Sequence, residues 1–272
     1  MAINDITLTS GMRSDLINLQ SVAALQARTT ERLSTGKKVN SAIDDPSAYF
    51  AAQNEMNRAN DLSTAKNAMG EAIQTVSAAL QGIDGITNLI QQAQGLVASA
   101  RSADAADRTS LAAQFNSLRT QIDQLASDSS YKGTNFLAAG SSLVVDFNET
   151  NTSTLTISGF DASTAGLGIT AASNNWAADS DLDTDSTNLS NALSTLRTQA
   201  QTLASNNGVV TARQDFTTNM INTLTTGADQ LTAADSNEES ANMLALQTEQ
   251  QLGIVALQLS SQAQQSVLRL FG

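Results

Sequence analysis

Apolar and small side chains recur at alternating steps of three and four residues near both ends of the chain. In the first segment these positions are Met12, Leu16, Leu19, Ala23, Ala27, Thr30 and Leu33. In the last segment they are Leu252, Val255, Leu259, Ala263, Val267 and Leu270. This spacing is typical of an amphipathic helix with one narrow apolar face. It predicts two long terminal helices, the first of about 30 residues and roughly 45 Å. Neither has a partner for its apolar face within its own segment.

The middle of the chain is also mostly helical in its patterning. Asp44-Asp45-Pro46 is a start signal, because Asp45 can accept bonds from the first free amides and Pro46 suits the first helical position. A helix is predicted from there to about Ala100, although four glycines weaken the expectation of continuity. These glycines are Gly70, Gly82, Gly85 and Gly95.

Two further helices follow from the same periodicity. One is predicted from near Asp107 or Thr109 to about Ser129, and the other covers residues 189–231. Propensity alone favours a break in the second of them at Asn206-Asn207-Gly208.

Residues 133–186 differ in kind from the rest. Residues 143–147 and 154–158 are short β-prone runs separated by polar residues, which predicts a β-hairpin. Residues 171–186 are rich in Ala, Ser, Asn and Asp and hold no basic residue, so we expect an exposed loop.

The composition excludes several classes of function. The 272 residues include no cysteine and no histidine, which excludes disulfide frameworks, thiolate metal sites, His-dependent triads and histidine zinc proteases. No serine, threonine or lysine lies in a recognisable nucleophile motif. We therefore expect no enzyme, no cofactor and no metal site.

The charge changes the expected partners. A formal charge of −12 argues against binding to nucleic acid or to an anionic membrane. No apolar run is long enough for a membrane-spanning helix, and residues 1–11 lack the pattern of a secretory signal peptide. Residues 1–40 are slightly basic and residues 229–272 are acidic, so the two terminal helices could lie side by side.

Two acidic motifs can each be interpreted either as a functional site or as an ordinary structural feature. The alternating aspartates of residues 179–185 could hold calcium, but Thr184 and Ser190 stand where an EF-hand needs glycine and a carboxylate. A solvated acidic loop leading into a helix capped by Asp185 or Ser186 is the alternative. Glu238 and Glu239 could be paired catalytic carboxylates, but adjacent helical residues diverge by about 100°. A negative first turn of the last helix is the alternative.

Four motifs, in order along the chain, resemble those of the bacterial flagellins. Thr30-Glu-Arg-Leu-Ser-Thr-Gly-Lys-Lys-Val-Asn-Ser-Ala-Ile-Asp-Asp45 resembles the segment after the first flagellin helix. Ser129-Ser-Tyr-Lys-Gly-Thr-Asn-Phe-Leu137 is similar to the segment before the family's hairpin, with Tyr131 and Lys132 in place of Phe and Asn. Gly166-Leu-Gly-Ile169 resembles the turn after that hairpin. Asp235-Ser-Asn-Glu-Glu-Ser-Ala-Asn-Met243 and Leu268-Arg-Leu-Phe-Gly272 are similar to the family's carboxyl-terminal segment.

This resemblance implies a mainly α fold in which both termini pair in a coiled-coil-like rod, with a small β-hairpin. The terminal inner-core helices would be residues 1–42 and 233–272. The rod domain would be residues 43–232, with the hairpin near 136–170. Residues 171–186 would replace the outer domains of larger flagellins, which makes this a short, minimal form. The resemblance also implies a continuous helix through residues 206–208, and we favour continuity because packing overrides weak propensity.

The function implied by the resemblance is structural. The chain would polymerise into the helical bacterial flagellar filament for motility, with terminal helices that fold on assembly. The hook–filament junction protein of the same superfamily is the alternative. The implied partners are further copies of the chain, sister flagellins, the flagellar export apparatus, an export chaperone and the filament cap. The implied location is extracellular, reached through the flagellar secretion channel without a cleaved signal peptide.

One segment departs from a familiar flagellin pattern. Many enterobacterial flagellins carry L-Q-R-V-R-E-L where this chain has Ile90-Gln-Gln-Ala-Gln-Gly-Leu96, and the vertebrate innate receptor for flagellin contacts that segment. Gln92 and Gln94 replace both arginines, Gly95 replaces the acid, and Leu96 is kept. Loss of two guanidinium donors removes charge-assisted hydrogen bonds, so we expect weak recognition by that receptor.

Overall fold

The computed structural model describes residues 10–271, and of residues 267, 268, 270 and 271 it describes the backbone alone. The described chain is mainly α, as predicted, with one two-stranded antiparallel sheet. The helices are α1 (Ser10–Thr35), α2 (Pro46–Ala100), α3 (Ala105–Asp128), α4 (Asp179–Thr232) and α5 (Ser236–Phe271). The strands are β1 (Ser142–Asp146) and β2 (Thr154–Ser158). The expectation for residues 1–9 lies outside the described residues.

The start of α2 confirms the sequence signal. Helix α2 begins at Pro46, and the Asp45 carboxylate accepts a 3.0 Å hydrogen bond from the amide of Ala48. The helix then continues to Ala100 without interruption. One of its glycines has a packing role, because a Cβ at Gly82 would lie 2.6 Å from Cδ1 of Leu137. Close packing thus compensates for the low helical propensity of Gly82.

Helix α4 is the largest departure from the predicted elements. It begins at Asp179, ten residues before the predicted start at 189, and a 3₁₀ turn at Ser173–Trp176 precedes it. Trp176 and Leu182 are fully buried. The expected loop over residues 171–186 is therefore wrong for residues 179–186, which are helical, and for Trp176 and Leu182, which are buried, although most residues of the segment are exposed as expected.

The other helix boundaries lie close to the predictions. Helix α3 begins at Ala105, where the Asp104 carboxylate accepts bonds from the amides of Ala106 and Asp107. Helix α4 is continuous through residues 206–208, which confirms the expected continuity.

The predicted hairpin is present and has one buried face. Strands β1 and β2 pair with Leu143 opposite Ile157 and Val145 opposite Leu155. Val145 and Ile157 are buried, whereas Val144 on the other face is exposed. This alternation is that of a strand pair covered on one side.

The chain divides into two compact units. Unit 1 comprises residues 1–57 and 224–272, and unit 2 comprises residues 58–223. The core of unit 2 includes large, fully buried side chains, among them Phe136 and Phe115, whose ring centroid lies 5.1 Å from that of Trp176. The expected domain limits at residues 42 and 233 stay a prediction.

Candidate subunit-packing surface

Helices α1 and α5 of unit 1 pack against each other in antiparallel orientation. Gly253 lies beside Leu19, since a Cβ on Gly253 would be 3.1 Å from the Leu19 Cδ1 atom. Thirteen residues further along α1, Nη1 of Arg32 lies 3.0 Å from Oε1 of Glu239, near the start of α5. These two contacts set the register of the pair.

The contact between the helices is a narrow seam. On α1 it includes the half-buried Met12, Leu19 and Val22. On α5 it includes the half-buried Met243, Leu246, Gly253 and Leu257. The buried residues in these helices, among the side chains described, are Thr29 and Glu239. The seam therefore removes little apolar surface from water for its length.

The opposite side of α5 carries a second apolar stripe, which we call the outer stripe. Its members are Leu244, Leu252, Val255 and Leu259, which are 68%, 63%, 49% and 62% exposed. At about 100° per residue these four positions fall on one side of the helix, roughly opposite the seam. Helix α5 thus has one partly covered apolar face and one uncovered apolar face.

The sequence-predicted positions divide between these two faces. On α1, Met12 and Leu19 lie in the seam, whereas Leu16, Ala23 and Leu33 are exposed. On α5, Leu252, Val255 and Leu259 belong to the outer stripe, and Ala263 is also exposed. The side chains of Val267 and Leu270 lie outside those described. On α5, periodicity found the uncovered face and missed the seam residues, whereas on α1 it included two of the seam residues, Met12 and Leu19.

Hydrogen bonds and charge hold the ends of this unit. The carbonyl of Thr232, at the end of α4, accepts a 2.7 Å bond from the amide of Lys38. Asp235 caps α5, because its carboxylate accepts a 2.8 Å bond from the amide of Asn237. Glu239 pairs with Arg32 while Glu238 is exposed, so the two glutamates have different surroundings.

The aspartates near the start of α4 each have a different partner. Asp183 pairs with Arg101 at 2.6 Å, and Asp179 pairs with Arg108 at 2.7 Å. Asp185 is buried and accepts a 2.7 Å bond from Nε1 of Trp176. Burial raises the pKa of Asp185, and the Trp176 bond opposes that rise. Within residues 10–271 no group of His, Cys, Asp or Glu side chains is arranged to hold a metal ion.

The positions equivalent to the receptor-contacting segment lie on α2. Gln92 and Gly95 are exposed, and Gln94 and Leu96 are half-buried. Both amide side chains therefore contribute polar surface without a formal charge. None of the helices that the structure describes is long and apolar enough to cross a membrane.

Comparison with known proteins identifies the family of this chain. The family model for the bacterial flagellin N-terminal helical region matches residues 3–142. Flagellin FljM of Caulobacter vibrioides is 31% identical over the full length of both chains, and flagellin FljO of the same organism is 30% identical, again over both full lengths. A Bacillus cereus flagellin crystal structure aligns with 55% of this chain and 88% of its own, with a TM-score of 0.49 and 18% identity. On the family model and the full-length matches, the chain belongs to the flagellin family.

Proposed function

We propose that this flagellin polymerises by packing the outer stripe of α5, flanked by the exposed apolar side chains of α1, against other copies. As a flagellin, the chain is a structural subunit of the bacterial flagellar filament. The observation that carries the proposed surface is the pair of opposite apolar faces on α5, of which only one is covered by α1.

The energetics favour many neighbours over one. Full burial of a leucine or valine contributes about 1.5–3 kcal/mol, so covering the exposed parts of four such side chains contributes several kcal/mol per subunit. Association itself costs about 4–15 kcal/mol in lost freedom. A single neighbour would therefore bind weakly, whereas several neighbours in a polymer bury enough surface. A head-to-tail contact whose rotation does not close gives an open helical filament.

The same surface supports folding on assembly. Helices α1 and α5 bury few of their side chains in the single chain, and isolated long helices are marginal in water without a packed apolar face. Neighbouring copies would supply the missing surface. The terminal helices would then gain most of their stability in the filament.

The proposals on export route, partners and location rest on membership of the flagellin family. Export through the flagellar secretion channel, an export chaperone, the filament cap, sister flagellins and an extracellular location are proposals on this ground. The proposed role depends on packing and requires no catalysis. The purified chain should form long filaments alone under salt-induced polymerisation, as seen by electron microscopy. Failure to do so would favour the junction-protein alternative.

Weak recognition by the vertebrate innate receptor for flagellin is a further proposal. Gln92 and Gln94 lack the guanidinium groups of the enterobacterial segment, and Gly95 lacks its carboxylate. A reporter-cell assay should give lower potency than an enterobacterial flagellin. Equal potency would contradict the proposal.

The direct test of the outer stripe compares two neighbouring positions. Leu259→Asp places a charge in the stripe, whereas Gln258→Asp places the same charge at an exposed position about 100° around the helix. We expect Leu259→Asp to raise the critical concentration for polymerisation at least tenfold and Gln258→Asp to leave it within about twofold. Normal polymerisation of Leu259→Asp would overturn the proposed surface.

A further inference from the structure

Helix α1 has an uncovered face of its own, on the side away from the seam. Ile17 is 59% exposed and Leu25 is 45% exposed, and Arg28 is also exposed. At about 100° per residue these three positions fall within an arc of roughly 80°, on the other side of the helix from Leu19 of the seam. We call these three residues the α1 outer face. It presents two apolar side chains and one cation that the chain's own α5 does not cover.

The outer stripe of α5 has a matching order of side chains. Glu249 is exposed at its edge, and Leu259, Leu252 and Glu249 also fall within an arc of roughly 80°. Along the axis of α5 these three positions are separated by about 10.5 Å and then about 4.5 Å. The members of the α1 outer face, taken in the opposite chain direction, are separated by about 12 Å and then about 4.5 Å. The two faces therefore match in both spacing and chemistry.

We propose that the α1 outer face of one copy packs antiparallel on the outer stripe of the next copy. This inference rests on the proposed function and names the surface that covers the stripe. The contacting pairs are then Ile17 with Leu259, Leu25 with Leu252, and Arg28 with Glu249.

Charge complementarity supports this choice of partner. Neither Arg28 nor Glu249 forms an ion pair within the described residues. In the antiparallel direction the two charges lie opposite each other in the same register that brings the leucines together. An exposed pair of this kind contributes little to affinity, so its role is to select the partner and the register.

The antiparallel direction is also one that a polymer can repeat. Within one chain α1 and α5 already run antiparallel. A copy whose α1 runs antiparallel to the α5 of its neighbour therefore points in the same direction as that neighbour. A row of copies then ends in a free outer stripe on one side and a free α1 outer face on the other, so growth stays open. Antiparallel pairing of two outer stripes would instead close as a dimer.

Crosslinking locates the contact, because the sequence contains no cysteine. Filaments are grown from an equal mixture of Ile17→Cys and Leu259→Cys chains and treated with a mild oxidant. A disulfide requires Cα atoms within about 7 Å, so a dimer band should form. The matched control mixes Ile17→Cys with Gln258→Cys and should give no dimer, since Gln258 lies about 100° around α5 from Leu259.

Two further samples separate the other arrangements. A dimer in filaments of Leu259→Cys alone would mean that two outer stripes pair with each other. A dimer from Ile17→Cys with Leu252→Cys, but not with Leu259→Cys, would mean that the two helices run parallel. Either result would overturn the inference, and so would filaments with no dimer above the control. The outer stripe would still stand in each case, because Leu259→Asp tests that surface separately.

The charges give a second test that leaves the apolar contacts intact. Glu249→Arg brings two like charges together and should raise the critical concentration for polymerisation about fivefold. Adding Arg28→Glu to the same chain reverses both charges and should restore it to within about twofold of the wild type. Arg28→Ala alone should change it by less than about threefold, because an exposed pair contributes little. A double variant that polymerises no better than Glu249→Arg would overturn the inference.

Discussion

Helices α3 and α5 differ sharply in how their apolar positions are used. Helix α3 has 24 residues and buries Ala112, Phe115, Ile122 and Ala126 in the core of unit 2. Helix α5 has 36 residues, yet Glu239 is the buried residue among its described side chains. Both helices carry periodic apolar positions. The difference shows that periodicity alone does not tell whether the partner surface belongs to the same chain.

The aromatic residues follow the same division. Phe115, Phe136 and Trp176 are fully buried in unit 2, whereas residues 10–35 and 236–266 contain no aromatic residue. Large rings bury much surface per residue and fix a core in place. Unit 2 thus has a core of its own, whereas the α1–α5 pair has the uncovered apolar surface that we propose is packed against other copies.

The largest expected effect comes from removing an aromatic ring from unit 2. Phe115→Ala should lower the free energy of unfolding by about 3–5 kcal/mol, because it leaves a cavity against Trp176. Leu252→Ala, on the outer stripe, should change the monomer by less than about 0.5 kcal/mol. Denaturant unfolding of both monomers measures the two losses in the free energy of unfolding. Similar losses for the two variants would contradict the difference between α3 and α5.

The next effect concerns the ion pair between α1 and α5. Arg32→Ala leaves the buried Glu239 without its charged partner, which costs about 1.5–3 kcal/mol. The critical concentration for polymerisation should therefore rise about 10- to 100-fold. Arg28→Ala is the matched control, since Arg28 is exposed on the same helix. Equal behaviour of the two variants would show that the pair does not support assembly.

A smaller effect is expected where Gly253 of α5 lies beside Leu19 of α1. A side chain at Gly253 meets Leu19, so Gly253→Leu should force α1 and α5 apart at a cost of about 1–3 kcal/mol. Gly208→Leu is the control, because nothing lies within 4 Å of a Cβ there. Sedimentation of polymerised protein measures the loss of filament yield. A filament yield unchanged by Gly253→Leu would contradict the pairing of Gly253 with Leu19 that sets the register of α1 against α5.

The smallest effect is a pH dependence within unit 2. Burial raises the pKa of Asp185 above its ordinary value of 3.8, so folding favours the protonated acid. Stability from this group is full below pH 3.8 and declines as the pH rises through the folded-state pKa. Asp185→Asn can still accept the Trp176 bond and carries no charge. Its Tm should exceed that of the wild type at pH 7 and equal it near pH 3.

Fluorescence of Trp176, the one tryptophan in the sequence, follows this transition. If the Tm of Asp185→Asn were instead below that of the wild type at pH 7, the hydrogen bond from the indole to the charged carboxylate would outweigh the cost of burying that charge.

Some elements followed from local chemistry and were predictable. Asp45 and Pro46 define the start of α2 because a cap and a proline act within one turn. The hairpin followed from two β-prone runs, with Val145 and Ile157 on the covered face as alternation requires. In each case the signal lies in neighbouring residues.

Other features depend on contacts far along the chain. The start of α4 was missed because one tryptophan and one leucine in a polar stretch give no periodicity, although Trp176 packs on Phe115 and bonds to Asp185. The two faces of α5 were not separable either. Leu246 and Leu257 have the same chemistry as Leu252 and Leu259, and only the position of α1 decides which pair is covered.

Hydrogen exchange of α1, α3 and α5 in monomer and in filament tests the central claim most directly. We expect α3 amides to be protected in both states, and amides of residues 10–35 and 236–266 to gain protection of at least 100-fold on polymerisation. Terminal helices as well protected in dilute monomer as in the filament would contradict the claim that other copies supply their missing surface.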